Sequence, residues 1–208
     1  MRADVTELLE EHGRTWARQA GITLRDKPAP LFQLLVLSLL TSARISADIA
    51  VASTRELFAA GWRTPERMRA STWQQRVDAL GRGGYRRYDE STATALDEAC
   101  TLVLEEHRGD LRRIRPASTG HGTGALEEAL TRFKRIGPAG AGIFCREVQA
   151  VWPEVAPYFD DRALDEAGRR GLPRDPGTLA ALVDDEPAEV ARLAAALVRA
   201  GLARSRHH

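Results

Sequence analysis

The chain has 208 residues, 43% of them hydrophobic, which is enough for one large domain or two small ones around a buried core. Its formal net charge is +1, so overall charge neither favours nor excludes a polyanionic partner, and a nucleic-acid surface would have to come from local clusters of basic residues. The longest apolar run, residues 34–40, is far shorter than the roughly 20 residues that span a membrane. No signal peptide is expected, and Cys100 and Cys145 fall inside helical patterns, which is typical of reduced thiols in a cytoplasmic protein.

Helical periodicity and turn residues predict about ten helices and no strand. In chain order, the predicted helices are residues 4–19, 31–43, 47–59, two short helices opening at 64–65 and 71–72, 86–107, one on each side of residues 137–140, and three opening at 160–161, 175–176 and 186–187. Residues 31–43 are apolar almost all round, which indicates the buried centre of a domain. Ser46 is a predicted N-cap, and residues 71–74 resemble a capping box. Residues 81–84 are predicted to be a flexible break, and residues 108–124, with His121, a loop.

The sequence Gly137-Pro138-Ala139-Gly140 predicts a tight turn between two helices. Such a turn exposes backbone N–H groups at the start of the second helix, where they and the helix dipole bind a phosphate without reading its base. The pair Asp160-Asp161 opens the next helix about ten residues after the second one ends. A helix, a glycine turn, a helix and a carboxylate together suit a protein that holds a nucleic-acid backbone beside an acid.

Four segments, in order, resemble the endonuclease III group of the helix-hairpin-helix DNA glycosylase superfamily, over about residues 30–172. They are residues 30–44 (PLFQLLVLSLLTSAR), 84–87 (GYRR), 136–142 (IGPAGAG), and Asp160 with residues 168–172 (GRRGL). The resemblance implies an all-α, two-lobed helix-hairpin-helix glycosylase fold. It places one lobe at residues 28–154 and the other at residues 1–27 plus 155–203. Residues 204–208 look like a tag remnant, so their two histidines are left out of metal reasoning.

The resemblance also assigns roles to individual residues. Asp160 is the implied catalytic carboxylate, which stabilises the oxocarbenium character of the sugar and orients water after the base has been flipped from the duplex. Asp161 stays open as the alternative, and an N-cap role is the simpler interpretation of Asp160. The residues implied to contact DNA are Gly137, Gly140, Ala141 and Gly142 of the hairpin, Arg44 of the inserting loop, and Tyr85, Arg86 and Arg87 at the start of the long helix. For Arg44, Arg86 and Arg87 the alternative is a solvated surface charge, and for Tyr85 a packed loop aromatic.

Three departures from the family shape the expected chemistry. The hairpin lysine that forms an imine in bifunctional members is matched by Ala141, or by Gly142 if the turn has slipped, and Lys134 is a poor substitute. We therefore expect base removal by water and no lyase activity. No cysteine follows Cys145, so no iron–sulfur cluster is expected. The position of the glutamate used by adenine-mismatch members is about Ser38. No other cofactor is expected, except for a monovalent ion that the resemblance suggests at the hairpin.

The resemblance thus implies a DNA-repair enzyme, a nucleoid-associated monomer that acts on double-stranded DNA with a flipped base. Alkylated purines, oxidised pyrimidines and deaminated bases remain open as substrates. A catalytically inactive helix-hairpin-helix protein that recognises damaged DNA is the alternative. A helical scaffold without a nucleic-acid role is the third possibility.

Overall fold

The computed structural model describes residues 2–115 and 123–205, and within these ranges all regular structure is helical. The predicted all-α class is therefore confirmed. The α-helices are α1 (Arg2–His12), α2 (Trp16–Gln19), α3 (Pro28–Thr41), α4 (Ala47–Ala59), α5 (Pro65–Arg69), α6 (Trp73–Arg82), α7 (Asp89–Glu105), α8 (Gly124–Thr131), α9 (Pro138–Val148), α10 (Asp161–Arg169), α11 (Pro176–Ala181) and α12 (Pro187–Ser205). Two short 3₁₀ helices, Leu111–Ile114 and Pro153–Val155, lie between them. None of the helices in the described ranges has the length and apolar character needed to cross a membrane.

Helix α3 is the centre of the core, as its sequence predicts. Every residue from Leu31 to Leu40 is buried, including the polar Gln33 and Ser38. Helices α4, α7 and α9 pack around α3, so it has no solvent face along most of its length. Fully burying each leucine stabilises the fold by about 1.5–3 kcal/mol relative to an exposed one. Because α9 packs on this fixed helix, the start of α9 is held against the loop that follows α3.

The predicted helix over residues 4–19 is wrong, because the chain breaks into α1 and α2. The N–H of Gly13 donates to the carbonyl oxygen of Leu9 at 2.9 Å and closes α1. A Cβ atom on Gly13 would lie only 2.2 Å from that same oxygen, so the turn requires glycine. Thr15 then caps α2, because its hydroxyl oxygen accepts from the N–H of Arg18.

The long helix predicted over residues 86–107 begins later, at Asp89. Gly84 has a left-handed backbone (φ +89°), and Tyr88 still lies outside the helix at φ −133°. The predicted break at residues 81–84 is also shorter than expected, because Gly81 and Arg82 complete α6 and Gly83 is its C-cap. The segment before α7 is thus a turn that carries Tyr85, Arg86 and Arg87.

The two ends of the chain lie together. Helix α12 packs against α1 and α10 and also contacts α9. The predicted division into two lobes stays a prediction, since buried residues from all of these helices join one continuous core. The first residues of the segment predicted to be a tag remnant continue α12 as far as Ser205, and Arg204 pairs with the buried carboxylate of Glu166.

A buried ionic cluster holds the N-terminal segment on α9. The carboxylate of Glu147, on α9, accepts the N–H groups of Trp16 and Ala17 at 3.1 and 3.0 Å and so satisfies the start of α2. The guanidinium carbons of Arg146 and Arg199 lie 4.9 and 4.4 Å from the centroid of the Trp16 ring. Burial raises the pKa of Glu147 and lowers that of Arg199. Arg146 also reaches Asp160, so this cluster is continuous with the candidate site.

Candidate active site and nucleic-acid interface

Helix α9 begins directly after the hairpin turn, and no side chain of the described residues caps its N-terminus. Gly137 is the N-cap of α9 and makes no capping hydrogen bond, and Pro138 follows it at the first helical position. The N–H groups of Ala139 and Gly140 have no acceptor in the described part of the chain, whereas that of Ala141 is bonded to the carbonyl of Gly137 at 3.0 Å. Free first-turn N–H groups and the dipole of an 11-residue helix favour an anion at this end.

The loop after α3 packs directly on this turn. A Cβ atom on Gly140 would lie 2.0 Å from the hydroxyl oxygen of Ser42, which itself donates to the carbonyl of Ser38 at 2.6 Å. Glycine at position 140 therefore allows α9 and the loop to approach closely. Arg44 lies two residues beyond Ser42 and is exposed. The DNA contact implied for Arg44 stays a prediction, on an exposed residue two positions from the serine that contacts Gly140.

Only one of the four predicted hairpin contacts is on the surface. Gly137 is exposed, whereas Gly140, Ala141 and Gly142 are buried. The direct DNA contacts predicted for these three residues are therefore not available in this structure, because Ser42 covers Gly140, the core surrounds Ala141 and Tyr158 covers Gly142. Of the two positions open for the missing lysine, Gly142 faces Asp160, since a Cβ atom there would lie 3.9 Å from the Asp160 Cβ.

Asp160 combines the two roles that its sequence position allowed. It is the N-cap of α10, where its Oδ1 accepts the N–H of Ala163 at 3.0 Å. Its Oδ2 forms an ion pair with a guanidinium N–H of Arg146, and 20% of its side chain stays exposed. Two oxygens with about four lone-pair sites leave room for further contacts. Asp161 is exposed as the first residue of α10, one position farther from the hairpin.

The backbone before Asp160 is fixed by two side chains that sequence reasoning missed. The side-chain oxygen of Gln149 accepts the backbone N–H of Tyr158 at 2.8 Å, and its side-chain nitrogen donates to the backbone carbonyl of Tyr158 at 2.9 Å. The phenol of Tyr158 donates to Glu127 at 2.7 Å, and burial raises the pKa of this tyrosine. These bonds join α8, α9 and the start of α10, and no local sequence pattern pairs residues that lie 9 and 31 positions apart.

Tyr85 is a core residue, so the DNA contact predicted for it is wrong and the packed-aromatic interpretation is correct. Its side chain is fully buried, its hydroxyl donates to the carbonyl of Leu40 at 2.9 Å, and burial raises its pKa. The aromatic residue that is partly exposed in the turn before α7 is instead Tyr88. The guanidinium carbons of Arg87 and Arg135 lie 5.3 and 5.4 Å from the centroid of its ring.

Arg135 immediately precedes the hairpin and has a left-handed backbone (φ +72°). Its guanidinium donates to the hydroxyl of Ser91 at 2.6 Å, which ties the hairpin to α7. Arg86 and Arg87 are both exposed, but Arg86 shares an open groove of about 480 Å³ with Asp78 and Asp89. Arg87, Tyr88 and Arg135 therefore form the basic, aromatic part of this surface, and Tyr88 and Arg135 were not identified from the sequence.

The remaining candidates carry no visible chemistry within the described ranges. Cys100 and Cys145 are buried free thiols whose pKa values are raised by burial, that of Cys100 to about 12, so neither is a ready nucleophile. Ser38 is fully buried, and its hydroxyl has no hydrogen-bond partner among the described residues. Nor does any group of three or more His, Cys, Asp or Glu side chains in residues 2–115 and 123–205 have the arrangement to hold a metal ion. His121 lies outside the described residues.

Comparisons with protein-family models, with curated protein sequences and with solved structures returned no match to this chain.

Proposed function

We propose that the chain is a monofunctional DNA glycosylase, which binds a duplex at the hairpin surface and removes a damaged or mispaired base with water as nucleophile. The observation that carries the proposal is the position of Asp160, a partly exposed carboxylate that faces Gly142 of the hairpin helix. The free N–H groups at the start of α9 and the exposed side chains of Arg44 and Arg87 supply groups that bind phosphates.

The chemistry follows from the residues at the site. Once the base has left the stack, the bond between C1′ and the base nitrogen breaks, and its electron pair leaves on the base. The carboxylate of Asp160 stabilises the positive charge that develops on the sugar and accepts a proton from the water that adds to C1′. The product is an abasic site with both strands intact.

Strand cleavage by imine chemistry is not part of the proposal. Ala141 and Gly142 carry no side-chain amine, and the ammonium of Lys134 is engaged with Glu98 of α7 at 2.8 Å. The abasic site would therefore stay uncut until alkali is added.

One observation favours the alternative, a protein that binds altered DNA without cleaving the glycosidic bond. Arg146 pairs with Oδ2 of Asp160 and partly neutralises the charge that would stabilise an oxocarbenium ion. In that case the hairpin surface would retain affinity for DNA, and the carboxylate would serve only to cap α10.

The test is a panel of duplexes, each with one modified or mispaired base, incubated with wild type, Asp160→Asn and Asp161→Asn and then treated with alkali. Asparagine also caps helices, so Asp160→Asn retains the start of α10. We expect cleavage only after alkali, a loss of about 10²–10⁴-fold in Asp160→Asn, and near-normal activity in Asp161→Asn. Tight binding without base release would establish the alternative, and the absence of salt-dependent DNA binding would refute both.

A further inference from the structure

The faces of α10 and α12 that meet line a groove of about 290 Å³, to which no hairpin residue contributes. Arg162, Glu166 and Arg169 line it from α10, with Arg204 opposite them on α12. Residues four and seven positions apart on a helix share a face, so the α10 side chains project together. Since one water molecule occupies about 30 Å³ in the liquid, the groove has room for a tetrahedral anion and its hydration.

A single buried carboxylate organises the guanidinium groups at this groove. Glu166 has only 1% of its side chain exposed. It pairs with Arg170 at 3.0 Å, with Arg204 at 2.7 Å and, more distantly, with Arg169 at 4.0 Å. The three arginine side chains are 40–61% exposed, so each presents further N–H donors to solvent.

The charges at the groove do not balance. Arg162 is exposed and forms no ion pair with the described residues, so the guanidinium groups of Arg162, Arg169 and Arg204 line the groove beside the single charge of Glu166, which Arg170 also contacts. The second acid on the wall, Asp165, is already paired with Arg174 at 2.5 Å. Neighbouring cations that one carboxylate cannot neutralise attract a further anion, and guanidinium forks fit the oxygens of a phosphate.

We propose that this groove is a phosphate-binding site whose ligands are Arg162, Arg169 and Arg204, arranged around Glu166. Glu166 holds Arg170 and Arg204 in place before the ligand arrives, which lowers the entropic cost of binding. The phosphate belongs either to a nucleic-acid backbone or to a free phosphate ion. Arg169 lies nine residues along the chain from Asp160, or about 13 Å at 1.5 Å per residue, within reach of a duplex bound at the hairpin.

The test compares Arg162→Gln/Arg169→Gln with wild type and with the control Arg67→Gln/Arg69→Gln. The groove pair leaves the close contacts of Glu166 with Arg170 and Arg204 intact, so folding is preserved. The control pair matches it, since Arg67 is exposed without an ion pair to the described residues and Arg69 makes only a distant pair with Glu105, at 3.9 Å. Each protein is titrated with inorganic phosphate at constant ionic strength and with an unmodified duplex at several salt concentrations.

We expect the groove variant to bind phosphate about tenfold more weakly for each guanidinium that contacts it, with the control unchanged. If the phosphate is part of a DNA backbone, the slope of log affinity against log salt also falls, by about 0.9 for each phosphate that the removed arginines would have neutralised. An unchanged slope with weaker phosphate binding identifies a free phosphate. The proposal is overturned if the groove and control variants match wild type with both probes, or if wild type binds neither, whatever the outcome of the base-release assay.

Discussion

Replacement of Gly140 by alanine tests the close approach of the hairpin helix to the loop after α3. The new Cβ would lie 2.0 Å from the Ser42 hydroxyl oxygen and 3.2 Å from both the Ser42 Cβ and the Ile136 Cγ2. To avoid the first contact, Ser42 must rotate and give up its hydrogen bond to Ser38, which costs about 1 kcal/mol. The two remaining contacts add overpacking of about 1–3 kcal/mol, and the helix preference of alanine returns about 0.5–1 kcal/mol. The expected net decrease is about 1–3.5 kcal/mol in the free energy of unfolding.

The measurement is urea unfolding followed by circular dichroism, with Gly81→Ala as the matched control. Gly81 is also a helical glycine, but a Cβ atom there would meet none of the described atoms within 4 Å. We expect Gly81→Ala to be neutral or more stable than wild type, and Ser42→Gly to restore part of the stability that Gly140→Ala removes. Equal stabilities of the two glycine variants would refute the argument that Ser42 requires glycine at position 140.

Two further predictions concern the surface and the pH dependence. Tyr85→Phe removes the hydrogen bond to the Leu40 carbonyl and should lower the free energy of unfolding by about 1 kcal/mol without changing DNA affinity. Tyr88→Ala, by contrast, should weaken DNA binding, because it removes the exposed part of an aromatic ring flanked by arginines. DNA titration and urea unfolding of both variants test this, and weaker DNA binding by Tyr85→Phe would contradict it. Burial lowers the pKa of His107 in the folded chain. Below pH about 6.5 the unfolded chain therefore binds more protons at this residue than the folded chain does. The free energy of unfolding should then fall as the pH decreases, by at most about 1.4 kcal/mol per pH unit. Unfolding at pH 7.5, 6.5 and 5.5 should give a shallower dependence for His107→Asn, and identical slopes would show that other groups are responsible.

Local chemistry made the helix starts predictable. Ser46 caps α4 as predicted, and α6 opens with a capping box, but Thr72 and Gln75 form it, one residue later than the predicted residues 71–74. Both signals involve residues within one turn of each other, which is why they can be read from sequence. The same holds for Asp160 as the cap of α10.

The composition of the site was less predictable, because it depends on which residues from distant segments meet. Tyr85 and Tyr88 are equally plausible surface aromatics in sequence, and only the packing of the turn against Leu40 buries one of them. Likewise, nothing in the spacing shows that Arg146 reaches Asp160, or that Arg162 and Arg204 line the same groove from two helices. The break at Gly13 was missed because apolar residues continue at helical spacing through Trp16.

The bond between Trp16 and Glu147 has a consequence for how the chain is made. The two residues are 131 positions apart in the sequence. Arg199, whose guanidinium packs on the Trp16 ring, lies still farther along the chain. At a synthesis rate of about 5–20 residues per second, roughly 7–26 s pass before Glu147 follows Trp16 out of the peptidyl-transferase centre. During that time the first N–H groups of α2 lack the Glu147 carboxylate, and the Trp16 ring lacks Arg146, which packs on it in the folded chain. The N-terminal segment therefore cannot make all of these contacts until Arg199 of α12 has been synthesised, and until then the indole of Trp16 lacks one of its two guanidinium partners.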